Sequence, residues 1–176
     1  MNIKLTILNK KVFNFLADWP EKQFFSKEIS DRLGISLGGA HNSLKALLKA
    51  GVVVFEQKGN MKFFKINFSS PLFKQLRSAG IVESLLPLVK KIKNHCLNVI
   101  LFGSAARGEQ TAKSDIDIFI LTNNPLEIRK LLPAKINRLL LKAIIKKPNE
   151  WSEMEIKEPE FFREIKNGIK LYESRF

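Results

Sequence analysis

Residues 101–121, LFGSAARGEQTAKSDIDIFIL, decide the fold of the second half of this 176-residue chain. An apolar run ends at Gly103, a short helical segment follows, and a second apolar run contains Asp115 and Asp117. Alternate residues of a strand share a face, so the two aspartates project together while the isoleucines between and after them point to the other side. The pattern predicts two buried strands, with the isoleucine face inward and the aspartate face turned toward Gly103-Ser104.

The chemistry of this stretch indicates a site for a metal ion and a phosphate. Two carboxylates this close repel each other unless a cation lies between them or water solvates them well. Mg²⁺ commonly takes one or two carboxylates and completes its shell with phosphate and water, and Mn²⁺ accepts similar ligands. A Gly-Ser turn that opens a helix offers free N–H groups to a phosphate. The alternative is an ordinary turn beside the solvated face of a strand.

The order of these features resembles the signature of the DNA polymerase β-like nucleotidyltransferase superfamily. The matching segments are GSAARG (103–108) and SDIDIFI (114–120), and the likeness is greatest to the minimal nucleotidyltransferase branch, which includes antitoxins that modify a toxin with AMP. The resemblance covers about residues 85–176 and implies a mixed sheet flanked by helices. It further implies that Gly103 and Ser104 bind the nucleoside triphosphate, and that the catalytic residues Asp115 and Asp117 hold Mg²⁺ or Mn²⁺.

The sequence departs from this pattern at the third carboxylate, which active members usually carry on a later strand. The later strand candidate, residues 138–147, contains no acid, and Glu127 falls in a helical run. Glu150 and Glu153 follow the strand and would serve only if a loop folds back. Two functions therefore stay open: transfer of a nucleoside monophosphate to a hydroxyl acceptor, or a non-catalytic regulator whose second domain senses nucleotide or forms a homodimer.

The first seventy residues contain three helical patterns followed by a hairpin pattern. A stripe from Ile7 ends at Trp19-Pro20, a second helix runs from the predicted N-cap Ser26 to Leu33, and a third follows the N-cap Ser36 and closes at Gly51. The tight turn LGIS joins the last two, which indicates a helix-turn-helix. Two β-rich runs around KGN predict a hairpin. The whole resembles a winged helix-turn-helix domain over about residues 5–70.

One face of the third helix has the composition of a DNA-reading surface. If Leu37, Ala40, Leu44 and Leu48 face the core, polar and basic residues lie on the other side. An asparagine there can read adenine in the major groove, and lysines can hold phosphates. The predicted DNA-binding residues are His41, Asn42, Lys45 and Lys49 on the helix, with Lys58, Lys62 and Lys65 in the hairpin. A solvated face and a protein-contact module are the alternatives.

The predicted α+β chain therefore divides into three segments. Residues 1–70 form the winged helix-turn-helix domain, 71–84 a helical connector closed by Gly80, and 85–176 the nucleotidyltransferase-like domain. Within residues 158–173, a helix that ends near Gly168 is predicted. The stretch 125–147 carries seven basic residues that line a groove for nucleotide or nucleic acid, or form a solvated face: Arg129, Lys130, Lys135, Arg138, Lys142, Lys146 and Lys147.

Composition narrows the class of partner. Thirty basic against seventeen acidic residues give a net charge of +13, which favours a polyanion such as double-stranded DNA. No apolar run approaches the roughly 18–20 residues that span a bilayer, and no signal peptide is predicted. With a single cysteine, Cys96, no intrachain disulfide forms, so a cytoplasmic location is expected.

Overall fold

The computed structural model describes residues 6–111 and 114–174, and the chain divides into two compact units, Met1–Gln75 and Leu76–Phe176. Among the described residues, none of the helices combines the length and apolar character needed to cross a membrane. The secondary structure is mixed, which confirms the predicted α+β class.

The first unit contains three helices and a small antiparallel sheet of strand order β1-β3-β2. Its elements are α1 (Ile7–Asp18), β1 (Phe24–Phe25), α2 (Ser26–Leu33), α3 (Leu37–Lys49), β2 (Val53–Lys58) and β3 (Met61–Ile66). Strands β2 and β3 form the predicted hairpin, with Lys58 paired to Met61 across a two-residue turn in which Gly59 has a φ of +60°. Strand β1, which pairs with β3, was not predicted.

Local capping explains where these helices begin and end. The Ser36 side chain accepts a hydrogen bond from the Gly39 N–H at 3.1 Å, as an N-cap does, and Gly34 ends α2 in the left-handed conformation. Two predictions about these helices were wrong. Ser26 is the first residue of α2, and its N-cap is Phe25. Leu37 is 50% exposed, because it opens α3 where no other element covers it.

A single 22-residue helix, α4 (Pro71–Ile92), replaces the predicted connector and the separate helix after it. The prediction that Gly80 closes a helix was wrong, and Pro87 also lies inside α4. Glycine and proline cost a helix about 1 and 3 kcal/mol respectively. The burial of Leu85, Leu88 and Ile92 in the core offsets that cost, because most helical stability comes from tertiary packing.

The second unit is built on a five-stranded mixed sheet of order β6-β7-β5-β4-β8, which confirms the mixed sheet flanked by helices. After a short 3₁₀ turn (Lys93–His95) come β4 (Asn98–Phe102), α5 (Gly103–Arg107), β5 (Ile116–Leu121), α6 (Pro125–Leu131), β6 (Lys135–Ile136), β7 (Leu139–Lys146), α7 (Pro148–Lys157), α8 (Pro159–Lys166) and β8 (Ile169–Glu173). Strand β5 runs parallel to β7 and antiparallel to β4. The helix predicted to end near Gly168 corresponds to α8, and the edge strand β8 that follows it was not predicted.

Both faces of β5 are buried along most of its length. Ile116, Ile118 and Ile120 pack with the residues of α4 and α6, as the alternation predicts. Beyond Asp117, the aspartate side of β5 is also covered, because Phe119 packs with Phe162 and neighbouring residues of α7 and α8. The aspartates therefore lie at the end of a buried strand and not along a solvated face.

Candidate functional site

The Gly103 turn lies directly against the carboxylate of Asp117. Strand β4 ends at Phe102, whose register partner on β5 is Asp117, and α5 starts at the next residue. Gly103 has a φ of +69°, and a Cβ added there would lie 2.9 Å from Asp117 Oδ2. Glycine is required at this position both for the backbone conformation and for the close approach.

Asp117 is partly buried, and this burial dominates its electrostatics. Desolvation raises the pKa of the Asp117 carboxyl, since a low-dielectric surrounding disfavours the charged form. The ammonium of Lys142 opposes this effect, while the charges of Asp115 and Glu164 add to it. A cation bound at this carboxylate would therefore offset the free-energy cost of burying its charge.

Lys142 supplies a cation to this site from the neighbouring strand. The parallel register of β5 and β7 sets Lys142 beside Asp117, and its Nζ lies 2.6 Å from Asp115 Oδ2. The side chain of Asp115 is 22% exposed and that of Lys142 65%. The hydrogen bond and charge of Asp115 raise the pKa of Lys142, which therefore stays protonated at neutral pH.

Arg107 and Glu164 are two charged residues of this region that the sequence analysis did not single out. Arg107, at the end of α5, lies 3.1 Å from Glu109 Oε2 through Nε and 3.2 Å from Glu164 Oε1 through Nη1. These two bonds raise the pKa of the guanidinium. Arg107 lies inside the GSAARG segment, so that segment could have identified it as a site residue. Glu164 comes from α8, and nothing in the local sequence connects it with the turn.

No third carboxylate joins the pair within the part of the chain that the structure describes. Glu150 accepts a hydrogen bond from the Lys147 N–H at 2.7 Å, and Glu153 pairs with Lys157 at 2.8 Å. Both belong to α7, which begins after the far end of β7. Asp117 and that end are separated by four residues of register, or about 13 Å of strand.

The donor set fits one Mg²⁺ ion with a phosphate and does not fit two. Asp115 and Asp117 supply two carboxylates, and Asp117 Oδ2 lies close to Gly103 at the turn. Mg²⁺ bound through two carboxylates takes its remaining ligands from phosphate and water. Gly103 and Ser104 lie in the turn where such a phosphate would have to bind.

In the first unit, the structure brings the predicted DNA-binding residues to the surface. His41, Asn42, Lys45 and Lys49 are all exposed on α3, and Ala40, Leu44 and Leu47 are buried on its opposite side. In the hairpin, the Lys58 Nζ donates to Gln23 Oε1 at 3.0 Å and lies 3.7 Å from Glu56 Oε2. The Lys62 Nζ lies 4.6 Å from the centroid of the Phe55 ring.

Comparison with known proteins identifies the second half of the chain. Residues 87–175 match the model of the family described as Polymerase beta, Nucleotidyltransferase. No curated protein gives a significant match. A solved structure from Sulfolobus solfataricus, described as a "putative nucleotidyltransferase", is 16% identical and covers 61% of this chain and 93% of its own, with a TM-score of 0.40.

A second solved structure, from Methanosarcina mazei, is described as a "possible transcriptional regulator". It is 19% identical and covers 52% of this chain and 80% of its own, with a TM-score of 0.38. Neither structural likeness is close enough to support an argument about function. The family match covers just over half of the chain and is the finding that identifies it.

Proposed function

The chain belongs to the Polymerase beta nucleotidyltransferase family, and on that premise we propose that its second unit binds a nucleoside triphosphate together with Mg²⁺ or Mn²⁺. Gly103 and Ser104 hold the phosphates, and Asp115 and Asp117 are the metal ligands. The contact between the Gly103 turn and Asp117 Oδ2 carries this proposal, because it would make a phosphate on the turn and a cation on the carboxylate immediate neighbours. The metal ion supplies the positive charge that joins the two.

Ligand-induced stabilisation tests this assignment. A ligand at one hundred times its Kd stabilises the folded state by about 2.7 kcal/mol, so Mg²⁺ with ATP, or with another nucleoside triphosphate, raises the melting temperature. Asp115→Asn combined with Asp117→Asn abolishes the increase. Melting curves with and without EDTA are compared for the wild type and this double variant.

The matched control is Glu153→Gln with Glu155→Gln, which changes the net charge equally at two exposed positions of α7 in the same unit. It keeps the wild-type shift. Equal shifts in all three proteins would mean that the nucleotide binds the basic surface and not the aspartate site.

For the first unit, we propose a winged helix-turn-helix that binds double-stranded DNA. Support comes from the arrangement itself: α2 and α3 joined by a short turn, a β2–β3 hairpin after them, and exposed amide and ammonium groups on α3. In this arrangement α3 enters the major groove, where Asn42 reads bases and Lys45 and Lys49 hold phosphates. Lys58 and Lys62 contact the flanking backbone.

Duplex binding is measured by fluorescence anisotropy with the full chain at several salt concentrations. Lys45→Ala weakens binding to all sequences and makes the salt slope shallower by about one unit. Asn42→Ala also relaxes base preference in a selection from random duplexes. Lys22→Ala, outside α3 and the hairpin, is the charge control. If no duplex binds even at low salt, the unit is a protein-contact module.

Between the two open activities, the structure favours nucleotide sensing by a transcriptional regulator over nucleotidyl transfer. Transfer in the two-metal scheme needs a second ion to activate the acceptor hydroxyl, and β7, the later strand, carries no acid and has Lys142 next to Asp117. Incubation with α-labelled nucleoside triphosphates and Mg²⁺ therefore leaves this protein and added hydroxyl acceptors unlabelled. Covalent labelling that the double asparagine variant abolishes would establish transfer instead.

A further inference from the structure

Lys142 is a charged group of the site whose position neither the family resemblance nor the local sequence explains. It is the register neighbour of Asp117 on β7, and its Nζ lies 2.6 Å from Asp115 Oδ2. One ammonium thus acts on both aspartates, by an ion pair with one and by proximity to the other. The ammonium thus offsets part of the repulsion between two carboxylates at the end of a buried strand.

The same ammonium is easily displaced. The side chain of Lys142 is 65% exposed, and exposed ion pairs contribute little net stability because water solvates the separated charges well. Asp115 is the more buried partner, at 22% exposure, so the carboxylate stays in place when the lysine leaves. A divalent ion bonded to Asp115 at about 2.0–2.1 Å would compete with the ammonium for one oxygen.

The ligand count then limits how many ions the site holds. Two ions about 3.5–4 Å apart are usually clamped by carboxylates that bridge or bind each of them. Among the described residues, no third His, Cys, Asp or Glu completes such a group, and the β7 position next to Asp117 is a cation. A second divalent ion there would meet a positive charge where it needs an acid.

We propose that Lys142 is a built-in counter-cation of the aspartate pair, which competes with the divalent ion for Asp115 and restricts the site to one such ion. The inference rests on the proposed function, since it assumes that Asp115 and Asp117 bind metal. A site of this kind keeps the ion that binds the phosphates and lacks the ion that activates an acceptor hydroxyl. A one-ion site therefore supports nucleotide sensing over nucleotidyl transfer.

Titration of the full chain with Mn²⁺ alone, followed by the electron paramagnetic resonance signal of free Mn²⁺, tests the proposal without any activity assay. The wild type binds one ion. Lys142→Met removes the competitor and lowers the Kd by about threefold to tenfold, the scale of a lost surface ion pair and of relieved repulsion. Lys142→Glu supplies a third carboxylate beside Asp117 and raises the stoichiometry to two.

Lys146→Met is the matched control, because it removes the same charge from the same strand at the register position of Leu121. Asp115→Asn combined with Asp117→Asn removes both carboxylates, so an ion that no longer binds this variant is the ion at the aspartate site. Folding of each variant is checked, in a Trp19→Phe background, by the fluorescence of Trp151, which packs between Phe119 and Phe162.

The outcomes separate the two proposals. If the double asparagine change abolishes Mn²⁺ binding but Lys142→Met binds no more tightly than Lys146→Met, or the wild type binds two ions at the aspartates, the role of Lys142 is refuted and the metal site stands. If Lys142→Met binds Mn²⁺ where the wild type does not, the lysine competes as proposed. If neither binds at the aspartates, the metal site itself fails and this inference fails with it.

Discussion

Replacing Gly103 with alanine tests the contact on which the nucleotide site depends. An alanine at a φ of +69° costs roughly 1–2 kcal/mol, because its Cβ approaches the carbonyl oxygen. The new Cβ would also lie 2.9 Å from Asp117 Oδ2, so the carboxylate must move off its rotamer, which costs about 0.5–1.5 kcal/mol more. We expect Gly103→Ala to lower the free energy of unfolding of the second unit by roughly 2–3 kcal/mol in total.

A double-mutant cycle separates the two costs. In an Asp117→Ala background the carboxylate is gone, so Gly103→Ala costs only the backbone component of roughly 1–2 kcal/mol. Urea unfolding is followed by the fluorescence of Trp151 in a Trp19→Phe background, which leaves one tryptophan. Gly34→Ala, at a φ of +60° with nothing near the added Cβ, gives the backbone cost alone by circular dichroism. An equal cost of Gly103→Ala in both backgrounds would refute the contact.

Three further expectations concern stability. Burial raises the pKa of Asp117, so the folded state binds a proton more tightly than the unfolded state, and the stability contributed by this group falls as pH rises from about 4 through the raised pKa. Asp117→Asn removes that part of the pH dependence of the free energy of unfolding, measured with urea. A variant with the wild-type pH profile would contradict this expectation. A methyl group at Gly168 would overlap the Leu101 carbonyl oxygen, so Gly168→Ala lowers the free energy of unfolding by about 1–3 kcal/mol or prevents folding. A variant that melts at the wild-type temperature would contradict the packing of β8 against β4. Ser36→Ala removes a side-chain cap and lowers the free energy of unfolding by about 1 kcal/mol, whereas Ser26→Ala lowers it by about 0.5 kcal/mol or less. Melting curves that rank the two variants the other way would show that Ser26 is the cap.

Local sequence was enough to predict the parts of the fold that local physics fixes. The alternation in residues 115–121 identified a strand with two unlike faces, and the Ser36 cap and the β2–β3 hairpin follow from side-chain and turn chemistry. The Gly103-Ser104 turn was predicted to face the aspartates, and the structure brings Gly103 against Asp117. Each of these features is short-range in the sequence: the cap joins Ser36 to Gly39, and the contact between Gly103 and Asp117 joins two strands that follow one another in the chain.

What escaped prediction depends on contacts between distant segments. Gly80 and Pro87 are helix-breaking signals, but the core that covers α4 overrides them. Lys142 lies 25 positions after its register neighbour Asp117, and the register of two parallel strands joined by a crossover cannot be read from either strand alone. The basic stretch 125–147 was treated as one group, although only the strand pairing shows which lysine meets the aspartates.

Diffraction from crystals of the full chain soaked with Mn²⁺ and a non-hydrolysable nucleoside triphosphate analogue tests the nucleotide site most directly, because Mn²⁺ is located by its anomalous signal. The account predicts one Mn²⁺ between the carboxylates of Asp115 and Asp117, phosphate oxygens at the Gly103-Ser104 turn, and Lys142 displaced from Asp115. An analogue bound elsewhere with no manganese at the aspartates would contradict the account, and two manganese ions at the pair would contradict the role of Lys142.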